Sequence, residues 1–278
     1  MREYKQAILS LCDHSGAWSK PFIDMGYVVI RVDPKHGDGF NHGGTGYSQS
    51  GGDGYMRHMP DGGYSLAMTA GDLADALESE GTYCLDYMLH CLRQNTGTGH
   101  GINPVQDDPD MYAGIEIVGT LIAAPCTDFA NSGARWFKDK DANGSTEQSI
   151  QIVRDCLRVV EASGTEWWCL ENPNGRIQRC VPELGKWLMK FDPCDYAGFA
   201  DDPDKESYTK LTMLYGEFNT ALPTAPREPV YYYKTKKDGT VMRGSWMWAN
   251  LGGKSERTKE LRSVTPLGFA RAFAEANG

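Results

Sequence analysis

Val118-Gly119-Thr120-Leu121-Ile122-Ala123-Ala124 runs into Pro125-Cys126-Thr127-Asp128, and Trp167-Trp168-Cys169-Leu170 runs into Glu171-Asn172-Pro173. Each is a short apolar run closed by a polar, turn-forming tail, the pattern of a buried strand in a parallel sheet. Between them, Asn131 to Gly144 is a polar loop. Ser145 with Gln148 then predicts a helix-start capping box. Ile150, Val153, Leu157 and Val160 recur at helical spacing up to Gly164, a helix-ending residue. Residues 117–170 therefore read as one β-α-β crossover. In an open α/β sheet, ligands bind outside the carboxyl ends of the strands. The thiol of Cys126 and the carboxyl of Glu171 are thus expected to face one cleft.

Outward from this unit the same architecture repeats. Gln6 to Cys12 and Tyr27 to Val32 read as strands, joined by Asp13-His14-Ser15-Gly16-Ala17-Trp18-Ser19 and a helix opening at Pro21. This is the opening of a doubly wound nucleotide- or cofactor-binding sheet. Residues 37–63 hold ten glycines, which predicts a long mobile loop with little to bury. Residues 79–112, with a helical run from Cys84 to Leu92, read as an insertion in the sheet domain. Tyr208 to Tyr215 alternates as a strand does, and Thr265-Pro266 predicts the cap and first position of a final helix. The expected organisation is a core over 1–215, a small basic region over 216–262, and a closing helix over 263–278.

The chain of 278 residues carries a net charge of −9, which argues against a surface that grips nucleic acid everywhere. The charge is uneven. Residues 227–262 carry a local excess of +5, while the remainder sums to −14. The basic segment is either a nucleic-acid contact or ordinary solvated surface. Eight cysteines are scattered without a C-x-x-C pair, so reduced thiols are the default. Cys84, His90, Cys91 and His100 match no standard zinc spacing, and no metal is expected. No apolar stretch is long enough to span a bilayer, and Met1-Arg2-Glu3-Tyr4-Lys5 lacks a signal-peptide pattern. A soluble, cytoplasmic protein is expected.

Taken together, Pro125-Cys126 and Glu171-Asn172-Pro173 resemble the signature motifs of cytosine-C5 DNA methyltransferases, and more closely their compact bacteriophage and prophage forms. Asp13 to Ser19, Ser132-Gly133-Ala134-Arg135 and Leu251 to Ala276 strengthen the likeness, which covers most of the chain outside 37–63 and 79–112. The resemblance implies a class I S-adenosylmethionine-dependent methyltransferase, a Rossmann-like α/β fold with a reduced target-recognition region. The implied substrate is DNA, duplex or single-stranded, in a bacterial host cell. RNA or a free cytidine nucleotide is the alternative substrate, and a non-catalytic phage interaction protein the alternative role.

The chemistry explains the residue types. C5 of cytosine is too weak a nucleophile to take a methyl group directly. A thiolate adding at C6 makes C5 enamine-like, and an acid at N3 manages the ring charge. The resemblance gives Cys126 the first task and Glu171 the second. It also implies that Arg135 and Lys210 act near the base or phosphate, and that Asn172, Thr212, Lys254 and Arg257 contact substrate. For the cofactor it implies Asp13, Ser15 and Gly16, with Trp18 as an aromatic wall and Pro125 at the strand end. Asp33 is expected on the ribose hydroxyls and Asp72 on the adenine, with Asp107 or Asp108 as alternatives to Asp72. The ordinary readings are a buried structural thiol for Cys126, a capping or paired carboxylate for Glu171, and turn or cap residues for the aspartates.

Overall fold

In a computed structural model, residues 5–37, 45–49, 52–82, 84–85, 115–250 and 255–278 are described. The chain divides into two compact units, Met1–Pro125 with Lys138–Leu170, and Cys126–Phe137 with Glu171–Gly278. In chain order the first contributes β1 (Lys5–Leu11), α1 (Lys20–Asp24), β2 (Val28–Val32), β3 (Thr45–Gln49), β4 (Gly52–His58), β5 (Tyr64–Ala67), α2 (Ala70–Glu80), β6 (Ile115–Ile122), α3 (Ser145–Ser163) and β7 (Trp167–Pro173). The last three residues of β7 belong to the second unit.

All but the first two residues of β1 are buried, as a central strand flanked on both edges requires. Its parallel neighbours are β2, where Leu11 is level with Val32, and β6, where Leu11 is level with Ile122. The order is β3-β4-β5-β2-β1-β6-β7, with β5, β2, β1, β6 and β7 all parallel. The chain moves outward from β1 through β2 to β5, then restarts on the other side with β6. That reversal is the switch point of a doubly wound, Rossmann-like α/β fold, as the sequence predicted.

Close packing holds these strands and helices together. Gly119 of β6 lies so near the Trp167 ring that a Cβ would sit 2.1 Å from it, and Phe22 of α1 stacks on the same ring. Arg158 of α3 ties to Asp75 at 2.6 Å and Glu78 at 2.7 Å on α2. These exposed ion pairs add little beside the buried apolar contacts.

In the second unit β8 (Met189–Phe191) and β9 (Thr212–Glu217) pair antiparallel, and β10 (Tyr232–Thr235) and β11 (Val241–Gly244) form a separate hairpin. Helices α4 (Glu256–Ser263) and α5 (Leu267–Asn277) follow. Phe269 of α5 is fully buried, stacked on Phe191 at 4.0 Å and set edge-on to Tyr196 at 5.5 Å. Arg271 donates to the Phe199 carbonyl at 2.6 Å and to Asp201 at 2.7 Å.

Four expectations are corrected. The glycine-rich stretch 37–63 is not one long loop: β3 and β4 pair antiparallel, and β4 pairs with β5. A segment with few apolar side chains can still satisfy its backbone donors on a sheet edge. The strand expected from Tyr208 begins at Thr212. Helix α3 starts on Gly144 without a side-chain cap from Ser145, whose own N–H is taken by Asn143. Thr265 does not cap α5; the Glu206 carboxylate accepts from the Leu267 and Gly268 N–H groups at 2.7 and 2.8 Å instead. Of the helical run expected over Cys84 to Leu92, Cys84 and Leu85 are helical, and the rest lies outside the described residues. His90, Cys91, His100, Asp107 and Asp108 lie outside them too.

Candidate functional site

The register of β6 on β7 sets Ile122 level with Leu170, so the residues that leave these strands emerge side by side. Cys126, half-buried, follows Pro125 and starts a tight turn in which its carbonyl accepts from the Phe129 and Ala130 N–H groups at 3.1 and 2.8 Å. Within the second unit this turn is stitched to the segment after Glu171. Asn131 donates to the Asn174 carbonyl at 3.0 Å, Arg176 N–H donates to the Phe129 carbonyl at 2.9 Å, and Ala130 bridges Gly175. The buried Arg176 adds a bond from Nε to the Asp128 carbonyl at 2.9 Å and covers the Phe137 ring at 3.7 Å. A Cβ on Gly175 would lie 1.9 Å from the Phe129 carbonyl oxygen, so no other residue fits without moving that backbone.

Glu171 is 7 % exposed, and each of its oxygens has a neighbour. The Thr265 hydroxyl donates to Oε2 at 3.3 Å, and the Lys210 ammonium stands 3.9 Å from Oε1. Lys210 also donates to the Arg262 carbonyl at 3.3 Å, while the buried Thr212 hydroxyl holds the Lys210 carbonyl at 2.8 Å. Cys126 feels the same charges. Burial pushes its thiol above the ordinary cysteine range; Lys210 opposes that, Glu171 adds to it, and Arg262 opposes it more weakly. The resting sulfur is therefore a protonated thiol with a cation poised to favour its ionisation. Beside Glu171, Asn172 is fully buried, and neither its amide nitrogen nor its carbonyl oxygen finds a partner among the described residues. A buried amide left without partners is costly, and in a site it is the natural complement of a polar ligand edge.

Of the expected site residues, Cys126, Glu171, Lys210, Asn172 and Thr212 thus come together in the second unit, although the Thr212 hydroxyl is spent on the backbone of Lys210. Arg135 is exposed, with its guanidinium over the Trp136 ring at 5.1 Å. Lys254 lies outside the described residues, and Arg257 lies in α4. In the basic region, Tyr233 and Val241 are exposed on the β10–β11 hairpin and Arg243 covers Tyr231 at 4.2 Å. Thr265, Arg262 and Arg176 were not foreseen. Thr-Pro before an apolar run reads as a helix cap, and nothing local signals a hydroxyl that reaches a residue 94 positions earlier.

In the first unit, Asp13 is buried and accepts from the hydroxyls of Ser10, Ser15 and Ser19 at 2.8, 3.2 and 2.9 Å, and from Gly16 N–H at 2.7 Å. It holds the turn together rather than reaching outward. Gly16 has φ +69°, and a Cβ there would strike the Arg31 guanidinium. Arg31 is itself buried and paired with Asp61. Ser15, exposed, also accepts from Ala17 N–H at 3.2 Å. Trp18 is fully buried, so it is a core side chain and offers no open ring face as a wall. Thr69 caps α2, its hydroxyl accepting from Asp72 N–H at 3.1 Å and donating to the Asp72 carboxylate at 2.6 Å. Pro125 is exposed at the strand end.

Asp33 differs. Half-buried after β2, it accepts from Lys35 N–H at 2.8 Å. His36, three residues on, is buried with Nε2 lacking a partner among the described residues. Burial pushes His36 below the ordinary histidine range against the pull of Asp33, so the ring is neutral near pH 7. A carboxylate and an orphaned imidazole nitrogen at the carboxyl end of β2 fit the hydroxyl- and amine-rich end of a nucleoside cofactor. Among the described residues no group of His, Cys, Asp and Glu could hold a metal ion, and no helix is long and apolar enough to cross a membrane.

No protein-family model matches the chain, and no curated protein sequence matches it. Among solved structures it is similar to one described as a "putative DNA modification methyltransferase" encoded within a prophage, from E. coli. The match has 12 % identity and a TM-score of 0.34, and covers 95 % of this chain. The chain spans 66 % of the length of that structure. At that TM-score the likeness adds nothing to the fold read from the strand order.

Proposed function

We propose that this protein transfers a methyl group from S-adenosylmethionine to C5 of cytosine in DNA, with Cys126 as nucleophile and Glu171 as the acid at N3. The observation that carries the reading is the second-unit constellation: a half-buried thiol under the field of Lys210 and Glu171, with the unpartnered amide of Asn172 next to the acid. Lys210 favours loss of the thiol proton. The thiolate then adds to C6 of the ring as Glu171 hydrogen-bonds N3 and offsets the charge that addition develops. C5, now enamine-like, would take the methyl group as its bond to the donor sulfur breaks and the demethylated thioether leaves; the C5 proton then passes to water and the C6–sulfur bond breaks, regenerating Cys126. Asp33 would hold the ribose hydroxyls of the cofactor and His36 a further polar group of its nucleoside, with Asp13 and Gly16 shaping the turn. When bound, that cofactor supplies the electrophilic methyl group. A target base in duplex DNA must leave the stack to be reached, and the β10–β11 hairpin with its exposed Tyr233 and Lys236 suits a contact to the phosphate backbone.

Incubation with S-adenosylmethionine and duplex DNA containing 5-fluorocytosine tests this, because fluorine at C5 blocks the final elimination. The expected result is a covalent adduct mapped by mass spectrometry to Cys126 and absent from Cys126→Ser. Adduct on single-stranded DNA, RNA or nucleotide alone would keep the chemistry and change the substrate. No adduct on any of them refutes the mechanism.

A further inference from the structure

The segment Arg262–Thr265, from the last turn of α4 into its connection to α5, touches the site twice. The Thr265 hydroxyl donates to Oε2 of Glu171, and the Arg262 carbonyl accepts from Lys210. Thr265 is buried, and the helix it precedes is fixed at its first turn by Glu206 and by the Phe269 stack on Phe191, and further along by Arg271. A carboxylate at the end of a strand has free rotation about its terminal bond. One rigid donor on one oxygen and one cation near the other remove that freedom.

We infer that Thr265 is a positioning residue for Glu171: its hydroxyl, held by the C-terminal helix, turns the carboxyl group so that Oε1 is presented to the base edge. Thr265 touches neither base nor cofactor in this arrangement and acts only through Glu171. The inference rests on the reading of Glu171 as the acid. It ties α5, through Thr265, to the reaction centre.

The test is a mutant cycle read by methyl transfer from radiolabelled S-adenosylmethionine to a duplex DNA substrate. Thr265→Val keeps the shape and removes the donor; Thr265→Ser keeps the donor. A bond to a charged group sets the scale, so kcat should fall roughly tenfold in Thr265→Val, with KM for DNA unchanged within about twofold, and recover in Thr265→Ser. In a Glu171→Gln background the same Val substitution should have little further effect, because residues acting as one unit are non-additive. Equal losses in both backgrounds, or failure of Ser to recover the rate while the urea midpoint matches wild type, overturn the inference and leave the proposed chemistry standing. A folded wild-type chain that transfers no methyl group to any cytosine substrate overturns both.

Discussion

Asn172 offers a sharp test of how the site is built. It is fully buried, and both polar atoms of its amide lack partners among the described residues. Truncating a buried side chain normally destabilises. Here Asn172→Ala removes three heavy atoms, a cavity of about 50 Å³, which at ~24 cal/mol per Å³ costs about 1.2 kcal/mol. It also removes two orphaned groups, each a burden of about 1–3 kcal/mol. Even at the low end the balance is a gain of about 1 kcal/mol, opposite in sign to ordinary core truncation. The assay is urea unfolding followed by circular dichroism, where a higher midpoint at unchanged slope reports a real change in stability. Methyl transfer measured on the same sample should fall if Asn172 contacts the substrate as proposed. A loss of more than about 1 kcal/mol would refute the reasoning, because it would mean the amide already has the partners its burial demands.

Two further predictions concern the same site. Because burial raises the Cys126 thiol and Lys210 opposes it, alkylation of Cys126 by iodoacetamide should keep rising beyond the pH at which an ordinary cysteine levels off. Lys210→Met should slow it further at any fixed pH, because the thiolate loses the cation that favours it; peptide mass spectrometry reads the rate, and a faster reaction in the variant would reverse the assigned sign. Gly175→Ala must push the Phe129 carbonyl away from a Cβ 1.9 Å distant, breaking the stitch between the Cys126 turn and the Glu171 segment. A destabilisation of about 1–3 kcal/mol, typical of overpacking, should appear in urea unfolding, and an unchanged midpoint would show that the turn can yield.

The β-α-β unit from Ile115 to Pro173 was legible because its signals are local: apolar runs of strand length, a 3.6-residue period, and a glycine at the helix end, which indeed adopts φ +63° at Gly164. Cys126 and Glu171 were legible for the same reason, as polar residues closing those runs. The stretch 37–63 was misread because glycine content measures freedom of the unpaired chain, whereas β4 is ordered by the neighbouring β5. Asp13 and Trp18 were assigned outward roles that their hydrogen bonds and burial turn inward, since a sequence does not reveal which way a side chain at a turn faces.

By itself, then, the sequence determined the alternation of strands and helices, hence a parallel doubly wound sheet, and the chemical types at its strand ends. Periodicity and turn chemistry act over a few residues, and the chain carries them in its order. Only the tertiary structure decided what surrounds those ends: Thr265 on Glu171, Lys210 between Glu171 and the Arg262 carbonyl, and the unpartnered amide of Asn172. These depend on distances between residues far apart in sequence, set within the second unit by how α5 packs on Phe191. Packing selects such pairs from many that composition allows equally.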